Sequence, residues 1–116
     1  MAKRKLKANI VEVALPADGE YAGWTFQGRT NPKLRTLSDL ASGSFLRIVK
    51  GLSDVVYDWN FEIETDEGEP VPSPADVRAG KVDDWTMLDI CGELTLDLAV
   101  AMASALTEKV GEVEKN

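Results

Sequence analysis

Val55-Val56-Tyr57-Asp58-Trp59-Asn60-Phe61-Glu62-Ile63-Glu64-Thr65-Asp66-Glu67-Gly68-Glu69-Pro70-Val71-Pro72 is the stretch on which the fold of this chain turns. An amphipathic helix ends there, a short alternating strand follows with almost no loop, and an acidic turn braked by prolines closes the unit. Phe61, Ile63 and Thr65 alternate with Glu62 and Glu64, the period of a strand buried on one face. Asp66-Glu67-Gly68 offers a hairpin turn with glycine in the left-handed position. Pro70, Pro72 and Pro74 keep the returning arm short and at an edge.

Upstream, Phe45, Ile48, Val49, Leu52, Val55, Val56 and Trp59 recur at steps of three and four, which predicts a helix from Ser44 to about Trp59 with one buried stripe. Gly51 inside it costs about 1 kcal/mol against alanine, so a neighbour packs closely there or the helix is weakened. Thr36 followed by Asp39 has the form of an N-cap with a first-turn carboxylate, opening a short helix that Gly43 stops. Earlier still, Ile10 to Leu15 and Tyr21 to Arg29 read as two strands around the turn residues Pro16 to Glu20, with Trp24 and Phe26 on one face.

Downstream, Pro72 to Gly80 is expected to be an irregular connector. Asp83 or Asp84 is the expected cap of a helix opened by Trp85, Met87 and Leu88 and broken at Gly92, and Leu94 to Leu106 the core of a long last helix. The resulting fold class is α+β: a small N-terminal antiparallel hairpin or sheet against two main helices, with a short acidic hairpin between them. Residues 1–8 are expected to be a flexible basic start, 9–110 one domain, and 111–116 a frayed end.

The composition is that of a folded globule, with 44% apolar and 28% charged residues. Charge is unevenly placed. Residues 1–53 hold nine Lys/Arg against four Asp/Glu, a balance of +5, whereas residues 54–116 hold four against sixteen, a balance of −12. Such polarity suits head-to-tail association into a homo-oligomer, or merely a solubilising surface. No apolar run approaches the eighteen or so residues of a membrane span, and the charged start lacks the apolar core of a signal peptide, so the expected setting is a cytoplasm.

Catalytic chemistry finds little purchase. The chain has no histidine and one cysteine, which removes histidine-based triads and any structural zinc site. Cys91, beside Ile90 and Leu88, reads as a small buried hydrophobe. The carboxylate pairs Asp66/Glu67 and Asp83/Asp84 lie in turn-like contexts without an apolar pocket to raise their pKa. The row Asp58, Asn60, Glu62, Glu64, Asp66 lacks the glycine and terminal glutamate offsets of a calcium loop. No enzyme, no cofactor and no metal site is therefore expected. Lys3, Arg4, Lys5 and Lys7, with Arg29, Lys33 and Arg35, are the basic residues that a nucleic-acid-binding regulator would use, but without interleaved aromatics they make a poor phosphate footprint.

The last helix carries the better signal for binding. Glu93, Asp97, Ser104, Thr107 and Glu108 fall within a polar arc of roughly 100°, and nearly everything else is apolar or alanine. Leu94, Leu98, Ala101, Met102, Ala105 and Leu106 form the candidate partner-binding face, widened by Leu96, Ala99 and Ala103. Either a second chain covers the surplus, or the first helix and the sheet do.

Tyr21-Ala22-Gly23-Trp24, Asn31-Pro32, the helix into Trp59-Asn60-Phe61, and Asp66-Glu67-Gly68-Glu69-Pro70 together resemble the tail assembly chaperones of long-tailed bacteriophages. Val71 stands where that pattern usually has leucine, and Ala75 to Val82 is longer than its usual connector. The resemblance implies a non-enzymatic protein that binds the tape-measure protein and tail-tube subunits during tail assembly in the host cytoplasm. A structural tail or connector component kept in the virion is the alternative within the same setting.

Overall fold

Val11, Val13 and Leu15 on one arm, and Trp24, Phe26 and Gly28 on the other, place their side-chain positions on one face of a hairpin, because successive residues of a strand alternate sides. The computed structural model describes residues 5–115, with side chains as far as Glu112. In it, β1 (Ile10–Ala14) pairs antiparallel with β2 (Thr25–Arg29), Val13 opposite Phe26 and Val11 opposite Gly28. β2 in turn pairs antiparallel with β3 (Val56–Trp59), Phe26 opposite Trp59, with a register irregularity at Gln27/Gly28. The fold is α+β, and among the described residues the sheet has three strands in the order β1-β2-β3.

β3 corrects the expected helix boundary. The helix α2 (Phe45–Val55) stops at Val55, and Val56 turns directly into the strand with φ −83° and ψ 128°. A spacing of 52, 55, 56, 59 satisfies a helical period, but Val56-Tyr57-Asp58-Trp59 is rich in β-branched and aromatic residues, and pairing with β2 decides between the two. The strand expected over Phe61 to Thr65 shrinks to a bridge between Glu64 and Pro70. The acidic hairpin itself is present: Val71 N–H donates to Ile63 O at 2.8 Å, Thr65 N–H to Glu69 O at 2.8 Å, and Gly68 takes φ +84°, a region open to glycine.

Three other local expectations change. α1 (Leu34–Leu40) begins after Lys33, not at Thr36, because Pro32 has already turned the chain; Thr36 and Asp39 are buried instead and hold α1 to α2. Thr36 Oγ1 donates to Asp54 Oδ2 at 3.3 Å and Arg47 Nε to Asp39 Oδ1 at 3.0 Å. The connector contains a short helix, α3 (Pro74–Arg78), capped by Ser73 with proline at its first position. α4 (Met87–Gly92) is capped by Thr86 in a reciprocal box with Asp89, not by Asp83 or Asp84. Gly51 resolves as close packing: a Cβ there would stand 2.9 Å from Leu40 Cδ2.

α5 (Leu96–Lys115) starts two residues later than expected and runs through Gly111. The expected frayed end falls mostly on residues 113–116, outside the described side chains, and the flexible basic start falls partly on residues 1–4, outside the described residues altogether. One contiguous core joins the sheet face (Val13, Phe26, Trp59), α2 (Ile48, Leu52, Val55), α4 (Ile90, Cys91) and α5. Phe61 stacks on Trp59 at 5.2 Å between ring centroids and meets Trp24 at 5.0 Å, and Trp24 meets Tyr21 at 5.0 Å. The segments Tyr21–Trp24 and Trp59–Phe61, far apart in the chain, thus form one aromatic ladder.

Candidate interaction surface

A helix of period 3.6 presents rows of residues four apart, and the three rows of α5 have three different fates. Leu98, Met102 and Leu106, with Ala99, Ala103 and Val110, face inwards; Met102 and Leu106 are 0% exposed. Half of the expected partner-binding face is therefore core, covered by the chain's own sheet and helices. Leu106 shows how closely, since its Cδ1 would stand 3.1 Å from a Cβ at Gly28. Leu94, half-buried, precedes the helix and packs on the core.

The second row, Leu96 and Val100, faces out, at 51% and 43% exposure. Val100 and Ala103 form one wall of an open groove of about 640 Å³ whose other wall is Leu40, Phe45 and Ile48, the turn at Gly43 lying at its end. Phe45 is 64% exposed and was expected in the buried stripe of α2. It occupies the first helical position, one turn before the packed part of that helix, and no element among the described residues closes over it. Val100 carried a sequence signal that the apolar count obscured: at about 100° per residue it lies inside the polar arc of Asp97, Ser104 and Thr107, a lone valine among polar neighbours.

The third row, Ala101 and Ala105, is half-buried and lines a separate groove beside β1. At the opposite end of the sheet, Arg29, Lys33 and Arg35 converge on a small cleft of about 170 Å³ with Thr36 and Asp54. Arg29 Nε donates to Asn31 O at 2.9 Å and to Asn31 Oδ1 at 3.1 Å.

The carboxylates do not assemble. Among the described residues no three of His, Cys, Asp and Glu stand close enough to hold a metal ion. Asp66, Glu67, Asp83 and Asp84 are all exposed. Cys91 is buried, and desolvation pushes its thiol up to about 12 against a small opposing pull from Arg78, so it is no nucleophile at neutral pH. Asp97 accepts from the Tyr21 phenol at 2.7 Å; the hydroxyl of Thr95 and then that phenol hold it below the usual carboxylate range. This contact pins the Tyr21 turn to the start of α5.

The described surface offers an apolar groove between α2 and α5, a groove beside β1 lined in part by Ala101 and Ala105, and a basic cleft. No helix among the described residues is long and apolar enough to cross a membrane. Comparison of the chain with family models, with curated proteins and with solved structures gives no match.

Proposed function

We propose that this chain is a non-enzymatic tail assembly chaperone of a long-tailed bacteriophage, acting in the host cytoplasm by covering apolar helical surface of the tape-measure protein and bringing tail-tube subunits to it. The observation that carries this reading is the open groove of Phe45, Ile48, Leu40, Val100 and Ala103. Its helical walls and exposed aromatic anchor suit the apolar face of an amphipathic helix, which docks through side chains three and four apart. The resemblance of Tyr21–Trp24, Asn31–Pro32, Trp59–Phe61 and Asp66–Pro70 supplies the biological setting. The acidic remainder of the chain would keep such a complex in solution.

The test is co-expression with a tape-measure protein from the same phage genome. Phe45→Asp and Val100→Asp are expected to lower the soluble client about tenfold or more, as the loss of an apolar anchor does. Undiminished soluble client with both variants overturns the reading. Mass spectrometry of purified virions separates it from a retained tail component, since a chaperone is absent there.

The cleft of Arg29, Lys33 and Arg35 favours one second reading, a nucleic-acid-binding regulator. Retention on DNA that falls with salt, and that is lost on changing Lys33 and Arg35 to glutamine, would support it.

A further inference from the structure

The two edges of the sheet are treated differently. On β3 the outer edge is occupied: Arg78 donates to Val56 O at 2.7 and 2.9 Å, and α3 packs there. On β1 no further strand pairs among the described residues.

The ladder fixes which groups β1 leaves open. Leu15 N–H donates to Trp24 O at 3.0 Å and Thr30 N–H to Asn9 O at 2.8 Å, so the odd-numbered residues of this arm bond inwards to β2. In an antiparallel pair the intervening residues turn their N–H and C=O the other way, which places those of Ile10, Glu12 and Ala14 along the outer edge. Such a row is a template for another strand, and native proteins blunt it with charge, proline or cover. Here one charge, Glu12, stands at its centre.

Next to this edge runs the groove of about 480 Å³ between β1 and α5, lined by Val13, Ala14, Pro16, Ala101 and Ala105 and by the polar Ser104, Glu108, Lys109 and Glu112. Its depth follows from the alanines, whose small side chains leave room between helix and strand for the side chains of an added strand. We infer that the free edge of β1 accepts an extended segment of another polypeptide as a fourth strand, with basic side chains beside Glu12 and small apolar side chains over Ala101 and Ala105.

The polarity of the partner comes from the two faces of the edge. Residues paired beside Ile10, Glu12 and Ala14 emerge on the outer face, where Glu12 is exposed; those between them emerge over the alanines. A second copy of this chain centred on Glu12 is a poorer occupant. Antiparallel self-pairing of Ile10, Glu12 and Ala14 about their centre sets Glu12 directly opposite Glu12, and like charges directly opposed destabilise a pair. A basic strand turns the same residue into an attraction.

The experiment uses the whole chain labelled with ¹⁵N and two soluble probes, a peptide alternating valine with lysine and its counterpart alternating valine with glutamate. The valine–lysine peptide is expected to slow hydrogen exchange at the amides of Ile10, Glu12 and Ala14 and to bind at least about tenfold more tightly than the glutamate peptide. Glu12→Lys is expected to reverse that preference. Ala14→Pro, which removes one outward donor where an edge strand tolerates proline, is expected to weaken binding about tenfold. The inference is overturned by equal affinity for both peptides, by an unchanged preference in Glu12→Lys, by perturbations confined to the groove of Phe45 and Val100, or by no perturbation at all. Protection of the same amides in peptide-free protein with a concentration-dependent dimer would assign the edge to a second copy and overturn it equally.

Discussion

The guanidinium of Arg78 lies over the ring of Tyr57, 4.2 Å from its centroid, and from there reaches the carbonyls of both Val56 and Ser53. Ser53 O belongs to the last turn of α2 and Val56 O to the first residue of β3, so one side chain satisfies acceptors on both sides of a junction that has no loop. A cation at the carboxyl end of a helix also meets the negative end of its dipole. The chain can therefore pass from helix to strand within one residue without leaving those carbonyls unpaired.

Arg78→Met, which keeps most of the apolar stem, is expected to lower stability by about 1.5–3 kcal/mol, the range for hydrogen bonds to a charged donor, towards the lower end because the side chain is partly solvated. Arg78→Lys should recover little of it, because an ammonium cannot reproduce the planar fork. Urea unfolding followed by tryptophan fluorescence measures both, and a stability equal to wild type in Arg78→Met would deny the clasp its role.

Gly51→Ala would ordinarily stabilise a helix by up to about 1 kcal/mol. Here the new methyl meets Leu40 Cδ2 at 2.9 Å and Leu40 Cγ at 3.0 Å, and Leu40 is itself buried. The expected net effect is a loss of about 1–2 kcal/mol, as for modest overpacking. In a Leu40→Ala background that loss should vanish or reverse, a coupling that a double-mutant cycle reads directly.

Leu98→Asp and Val100→Asp lie two residues apart on α5 and should behave oppositely. Leu98 is in the core, so an uncompensated carboxylate there is expected to cost at least about 3–5 kcal/mol and to unfold a domain of this size. Val100 faces out, so its replacement should change stability by no more than about 0.5–1 kcal/mol. Thermal unfolding of the two variants measures this contrast, and equal losses would contradict the inward packing of Leu98.

Cys91 should resist alkylation at neutral pH until the chain unfolds, because its thiol is raised to about 12 by burial. The folded value lies above the ordinary value of 9.0, so the sign is fixed: its contribution is full below pH 9 and is lost as pH climbs towards 12. Cys91→Ser, which buries a hydroxyl in an apolar site, is expected to cost about 1–3 kcal/mol. Modification of the native protein at a rate independent of denaturant would contradict the burial.

Tyr21→Phe removes one of the two hydroxyls that depress Asp97, leaving Thr95. The Asp97 carboxyl should then titrate nearer the ordinary range, visible in an NMR pH titration. Since the folded value is lowered, its stabilising effect exists above that range and disappears as pH falls through it. The difference between wild type and Tyr21→Phe should accordingly be present at neutral pH and shrink below about pH 4. The phenol itself is pulled down by Thr95 but raised overall by Asp97, burial and Glu20.

The N-terminal hairpin, the packed part of α2, the turn at Gly68 and the burial of Cys91 were legible because each rests on a local rule: period two, period 3.6, a glycine where φ is positive, a small apolar residue among larger ones. The end of α2 was not. Val55, Val56 and Trp59 keep the helical period while Val56-Tyr57-Asp58-Trp59 has the residue types of a strand, and only the hydrogen bonds offered by β2 decide between the two. The cap of α4 was misplaced for a related reason, since Asp83, Asp84 and Thr86 all qualify by type and only Thr86 has a carboxylate three residues on that returns the bond.

The candidate surface divides along the same line. That α5 carries more apolar positions than a single face needs follows from its composition, and so does the absence of histidine chemistry, because both are properties of residue type and order. Which row of α5 goes inward is a property of packing. Leu98, Met102 and Leu106 are covered because the sheet lets Leu106 settle where Gly28 has no side chain, and that rotation turns Val100 towards Phe45 and Ala101 towards β1. A helical wheel supplies the angles between rows but no origin, and the neighbouring elements supply that origin.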